Sequence, residues 1–137
     1  MIEIEHTAHS SSARSEVWAR LADLDNWDQW GPWTKTTTEG DVRKLVSERK
    51  RLTGKPYVMT ERVTAMEPQE RFEYDLLKGL PIKGYHSVVT LSDAADGGTD
   101  IRWASTFKSP WPGLGFLWRG AMLKVIREVS EALAATE

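Results

Sequence analysis

The 137-residue sequence predicts an α+β fold: a strongly curved antiparallel sheet of six to seven strands wrapped around a long C-terminal helix, with two short helices after the first strand. Three observations predict it. Residues 42–108 alternate apolar and polar side chains in short runs separated by turn signals, the pattern of an antiparallel meander. Residues 114–133 carry an apolar stripe at helical spacing, through Leu114, Trp118, Met122, Val125, Val129 and Leu133. Finally, a helix with one apolar stripe must bury it, and the apolar face of the preceding sheet is the only large partner in the chain.

The elements follow in order. Residues 2–9 set Ile2, Ile4 and His6 against Glu3, Glu5 and Thr7, a half-buried strand. Ser10, Ser11 and Ser12 offer N-cap hydroxyls to an amphipathic helix over residues 12–23, where Val17, Leu21 and Leu24 recur with Trp18 beside them. Residues 25–30 form a second short helix, stopped by Gly31-Pro32, which leaves Trp30 and Trp33 in a Gly/Pro loop. Strands over 42–51 and 57–66 flank the loop Leu52-Thr53-Gly54-Lys55-Pro56. A strand over 70–78 puts Phe72, Tyr74 and Leu76 on one face, and one over 84–92 does so with Tyr85, Val89 and Leu91. After the turn Asp96-Gly97-Gly98, a strand over 99–108 aligns Ile101, Trp103 and Phe107. The connector Ser109-Pro110-Trp111-Pro112-Gly113 is stiff and irregular, and the final helix runs about six turns.

Bulk properties bound the function. The length suits one domain over residues 1–137 with a substantial core. A net charge of −2 gives no electrostatic support to nucleic-acid binding, and the basic run Arg43-Lys44 with Arg49-Lys50-Arg51 is split over both faces of a strand. The absence of cysteine excludes disulfides, thiolate metal sites and cysteine nucleophiles. The N-terminus lacks the basic-then-apolar pattern of a signal peptide, and no apolar run reaches spanning length, so a cytoplasmic protein is expected. His6 and His9 point to opposite faces of a strand and His86 faces outward from Tyr85, so no metal site is expected. No nucleophile elbow or glycine-rich phosphate loop is present.

Seven tryptophans exceed what one core of this size needs, and large rings with a polar edge suit the wall of an apolar pocket. Counting back from a 52–56 loop pairs Arg49 with Met59, Ser47 with Glu61, Leu45 with Val63 and Arg43 with Ala65. That face is the more apolar, and it carries Arg43, Arg49 and Glu61 inward. Glu61 lies diagonal to Arg49, within reach of its long side chain. Such a cluster either orients a ligand, with Glu61 as the candidate general base, or is a structural ion pair; a one-residue slip would turn Glu61 to solvent. Tyr74 and Tyr85 supply hydroxyls to ligand or core. Trp103, Phe107, Trp118 and Met122 line a cavity or fill it. Trp30 and Trp33 cover its mouth or plug the sheet end. Trp111 and the apolar run to Met122, broken only by Arg119, are too short to span a bilayer and can rest on one or meet a partner.

Val17-Trp18, Trp27-x-x-Trp30-x-Pro32, Glu61-Arg62-Val63, Arg71-x-x-Tyr74, Pro81 and Gly98-Thr99-x-Ile101-x-Trp103-x-x-x-Phe107 occur in an order that resembles the START/polyketide cyclase superfamily (SRPBCC, the helix-grip fold), in its polyketide cyclase/dehydrase branch. The likeness covers residues 2–135. It implies a hydrophobic cavity between the last helix and the sheet, with no metal and no tightly held cofactor. Activities in the family range from aromatic polyketide cyclisation and dehydration to lipid or quinone carriage. No catalytic set transfers residue by residue. The expected function is binding of a small hydrophobic molecule, aromatic, polyketide-like or isoprenoid. The alternatives are a cyclase or dehydratase using Glu61 or a tyrosine as acid/base, and a module that binds a protein partner.

Overall fold

A computed structural model describes residues 1–136. Seven antiparallel strands form one sheet in the order β1-β7-β6-β5-β4-β3-β2. They are β1 (Ile2–Ser10), β2 (Trp33–Glu39), β3 (Val42–Lys50), β4 (Pro56–Glu67), β5 (Arg71–Lys78), β6 (Lys83–Asp93) and β7 (Thr99–Lys108). Helix α1 (Arg14–Ala22) and a 3-10 helix (Leu24–Gln29) follow β1, and α2 (Gly115–Ala135) closes the chain. The last helix buries Met122, Ile126, Val129 and Leu133 against the concave face. Opposite them lie Leu45, Phe72, Tyr74, Tyr85, Val89, Ile101, Trp103 and Phe107, all buried. The expected α+β architecture is therefore the one observed.

Four local expectations change. Trp33 is not in a loop: it is the buried first residue of β2, a strand that the threonines at 34, 36, 37 and 38 favour through their branched Cβ atoms. The serines do not cap α1, which starts at Arg14 behind Ala13 without a side-chain cap; Ser10 Oγ instead accepts the Ser12 amide at 3.1 Å. The second short helix is 3-10, broken at Asn26 (φ −119°, ψ 22°). Finally, the β3–β4 register differs. Arg43 pairs with Glu61 and Leu45 with Met59, four residues along β3 from the expected partners. The turn is closed by the Arg51 amide donating to the Lys55 carbonyl (2.8 Å), and a bulge between Val46 and Lys50 absorbs extra residues of β3. Four is even, so the inward and outward faces survive the shift.

Candidate functional site

The site is built from an aromatic base, a buried ion pair above it, and an opening at one end of the sheet. The base is centred on Trp27, whose ring packs 4.9 Å from Trp30, 5.5 Å from Trp33, 5.5 Å from Phe72 and 5.9 Å from Trp103. Its indole N–H donates to the Leu21 carbonyl at 2.9 Å, which ties the short helices beneath the sheet. Most of the tryptophan surplus is used here, as filling.

Arg43 lies on this base. Its guanidinium carbon stands 3.6 Å from the Trp27 ring centre, a desolvated cation–π contact. Its Nε donates to Glu61 Oε1 at 3.0 Å, and Nη2 lies 2.8 Å from the same oxygen. The Arg43 side chain is 0% exposed and that of Glu61 8%. Burial pushes the Glu61 carboxyl above the usual carboxylate range, against the opposing charge and hydrogen bond of Arg43. The predicted Arg49–Glu61 contact is thus replaced by Arg43–Glu61, because the register moved. Arg49 is half exposed and reaches across the opening to Glu128 on α2.

Beside Glu61, a line of hydroxyls crosses the sheet. Trp103 Nε1 donates to Tyr74 Oη at 3.3 Å; Tyr85 Oη lies 3.0 Å from Ser105 Oγ, which lies 2.7 Å from Ser87 Oγ. Desolvation raises the phenol of Tyr74 well above its ordinary value and also raises that of Tyr85, so both stay protonated. Glu61, Tyr74, Tyr85 and Trp103 border an inner space of about 30 Å³, enough for one water.

Toward the β3–β4 hairpin the structure opens. A pocket of about 680 Å³ lies between that hairpin, the Gly79-Leu80-Pro81 loop and α2. Apolar groups dominate its wall, including Tyr57, Leu80, Trp118, Ala121 and Val125; Arg49, Lys124 and Glu128 stand at the rim. Trp33, Met59, Leu80, Met122, Val125 and Val129 border both spaces and form the partition between them. Gly79 lets the loop close the wall: its φ is +121°, and a Cβ there would stand 2.5 Å from the Val58 carbonyl oxygen.

The sequence-predicted residues therefore divide into three groups. Trp33, Arg49, Met59, Trp118 and Met122 line the outer pocket. Glu61, Tyr74, Tyr85 and Trp103 line the inner space. Trp30, Arg43 and Phe107 border neither: Trp30 packs against Trp27 with its ring tilted by 48° and faces a groove with Glu16 and Asp23, Arg43 is paired with Glu61, and Phe107 packs on Tyr85 at 5.9 Å. Reading the sequence missed Ser87 and Ser105, although both share the inward parity of Tyr85 and Trp103. It also missed Tyr57, Leu80, Ala121 and the rim carboxylate Glu128. No cluster suited to a metal ion occurs among the described residues.

Comparison with known proteins gives the same architecture. The chain superposes on the XoxI protein of Bacillus cereus with a TM-score of 0.84 at 16% identity, covering 98% of this chain and 94% of that one. A Thermobifida fusca protein gives 0.78 at 17% identity, over 98% and 91% of the two chains. A START superfamily protein of Mycobacterium smegmatis gives 0.73 at 14% identity, over 96% of each. At these identities the likeness is one of fold alone. No curated protein matches the chain. A family model described as polyketide cyclase / dehydrase and lipid transport matches residues 1–136.

Proposed function

Because the chain belongs to the polyketide cyclase / dehydrase and lipid transport family, we propose that it binds a small hydrophobic molecule, entered from the hairpin end and held between α2 and the sheet. The observation that carries this reading is the apolar pocket of about 680 Å³, within the range of small-molecule sites and lined by few polar groups. Its partition includes Met59 and Met122, unbranched side chains that change rotamer at low cost. Their movement would join the pocket to the inner space and bring a ligand hydroxyl or carbonyl to Glu61, Tyr74 and Tyr85. An apolar, aromatic or isoprenoid body with one polar end fits that arrangement.

The test fills the pocket from its wall. Ala121 is exposed on α2 and borders the pocket, so Ala121→Trp is expected to abolish binding of an environment-sensitive apolar dye while leaving thermal stability within ~0.5 kcal/mol. Dye binding equal to that of the unmodified protein would refute the site.

A second reading rests on Glu61. Its carboxyl borders the inner space beside two protonated phenols. In a cyclisation or dehydration, Glu61 would take a proton from carbon next to a carbonyl while Tyr74 or Tyr85 donates to the carbonyl oxygen. On that reading Glu61→Gln removes turnover of a polyketide-like substrate and keeps binding. Retained turnover would eliminate Glu61 as the base.

A further inference from the structure

The antiparallel order sends alternate turns to opposite ends of the sheet, and the two ends differ in charge. The β2–β3, β4–β5 and β6–β7 turns carry Glu39 and Asp41, Glu67 and Glu70, and Asp93 and Asp96. At the other end, the β3–β4 hairpin carries Arg49, Lys50, Arg51 and Lys55, the β5–β6 loop is flanked by Lys78 and Lys83, and β7 ends on Lys108. The carboxylates nearest that end are Glu3, Glu48 and Glu128, the last paired with Arg49. None of the five lysines has an ion-pair partner among the described residues. The end is thus cationic on a chain of net charge −2.

The same end exposes large apolar side chains. Phe116 is 71% exposed, Leu117 57% and Trp111 55%, and Leu52 at the hairpin tip is fully exposed. On the far end only Met66 compares among the described residues, at 40%. Leu117 precedes Ala121 and Lys124 by one and two turns, so the exposed stripe runs into the pocket mouth. Scattered exposed apolar groups need no explanation, but a cluster ringed by unpaired lysines does. Tryptophan and phenylalanine beside lysine are the side chains of a headgroup boundary.

We infer that this end is a docking surface for an anionic lipid membrane: Trp111, Phe116, Leu117 and Leu52 enter the headgroup boundary while the lysines meet lipid phosphates. Charge decides the partner: a neutral bilayer offers the lysines nothing, whereas an anionic one attracts this end and repels the acidic turns at the other, which also orients the protein. The pocket mouth then faces the bilayer. No helix among the described residues is long and apolar enough to cross a membrane, so the contact is peripheral.

Co-sedimentation of the whole protein with vesicles tests the inference. Binding is expected to vesicles of phosphatidylcholine mixed with phosphatidylglycerol, not to phosphatidylcholine alone, and to weaken as salt rises. Each of Lys50→Gln and Lys55→Gln is expected to lower the partition about fivefold, and Phe116→Ser/Leu117→Ser to lower it by roughly tenfold or more. Thermal stability and dye binding in free solution should be unchanged in these variants, so failure here is separate from failure of the pocket reading. Absence of binding to anionic vesicles would overturn the inference, as would equal binding to neutral ones. So would a concentration-dependent dimer abolished by Phe116→Ser/Leu117→Ser, which would make the patch a contact between two copies of the chain.

Discussion

Replacing Arg43 by methionine isolates the interaction on which the interior depends. The change keeps side-chain bulk over Trp27 but leaves Glu61, 8% exposed, with no cation beside it. Removing one partner of a buried pair costs about 3–5 kcal/mol, because the remaining charge is uncompensated. With an unfolding entropy of about 2.1 cal/mol/K per residue, that loss lowers Tm by roughly 10–17 °C. The double variant Arg43→Met/Glu61→Leu removes both charges and is expected to recover most of the loss, since buried pairs replaced by apolar groups are often neutral. A double-mutant cycle by calorimetry or denaturant titration should return a coupling of at least ~2 kcal/mol. Acid pH gives an independent reading. The Glu61 carboxyl titrates above its unfolded value, because desolvation outweighs Arg43. Its contribution is therefore present below the unfolded pKa and lost as pH rises through the folded one. In Arg43→Met that desolvation is unopposed, so the deficit relative to the unmodified protein should shrink as pH falls through the carboxylate range. A single variant within ~1 kcal/mol of the parent at neutral pH, with a deficit insensitive to pH, would refute the buried pair.

Three other outcomes follow from the packing of single residues. Phe107 is fully buried against Tyr85, so Phe107→Ala should cost about 3–5 kcal/mol in urea unfolding while leaving the pocket walls unchanged. Gly79→Ala forces an unfavourable φ and drives a methyl against the Val58 carbonyl; a loss of about 1–3 kcal/mol is expected, together with weaker dye binding through the displaced wall. His9 lies 2.8 Å from Asp96 and 3.2 Å from Asp100, and its pKa is raised first by the Asp100 hydrogen bond, then by that of Asp96. Its imidazole should titrate above the ordinary histidine value by NMR, and Asp100→Asn should bring it down.

The sequence carried the architecture because strand faces depend on parity and helix faces on a 3.6-residue period. Tyr85, Val89 and Leu91 on β6, and Met122, Val129 and Leu133 on α2, are buried as their spacing requires. The pairing of β3 with β4 was not legible for a different reason. Register there depends on a tight Arg51–Lys55 turn and on a bulge in β3, and neither leaves a periodic trace. A shift of four residues was enough to exchange Arg49 for Arg43 as the partner of Glu61. Strand β2 was hidden because Gly31 and Pro32 read as loop and the threonines after Trp33 show no apolar alternation.

The aromatic residues account for the shape of the cavity. Trp103 and Phe72 are buried against Trp27, and Arg43 lies between Trp27 and Glu61, so the inner end of the grip is filled apart from the 30 Å³ beside the carboxylate. At the hairpin end the space between sheet and helix is instead open as the pocket of about 680 Å³, with Tyr57 in its wall. Trp33 and Trp118 stand in its wall, and Arg49 on the sheet meets Glu128 on α2 at its rim. An exposed ion pair is worth at most about 1 kcal/mol, so it yields readily to an entering molecule. A core that is dense at one end and spanned at the other by a weak, screened contact keeps its stability and its opening in different places. The expected consequence is that Arg49→Ala admits an apolar dye faster without lowering Tm appreciably, whereas Arg43→Met lowers Tm, and stopped-flow fluorescence beside thermal melts can separate the two.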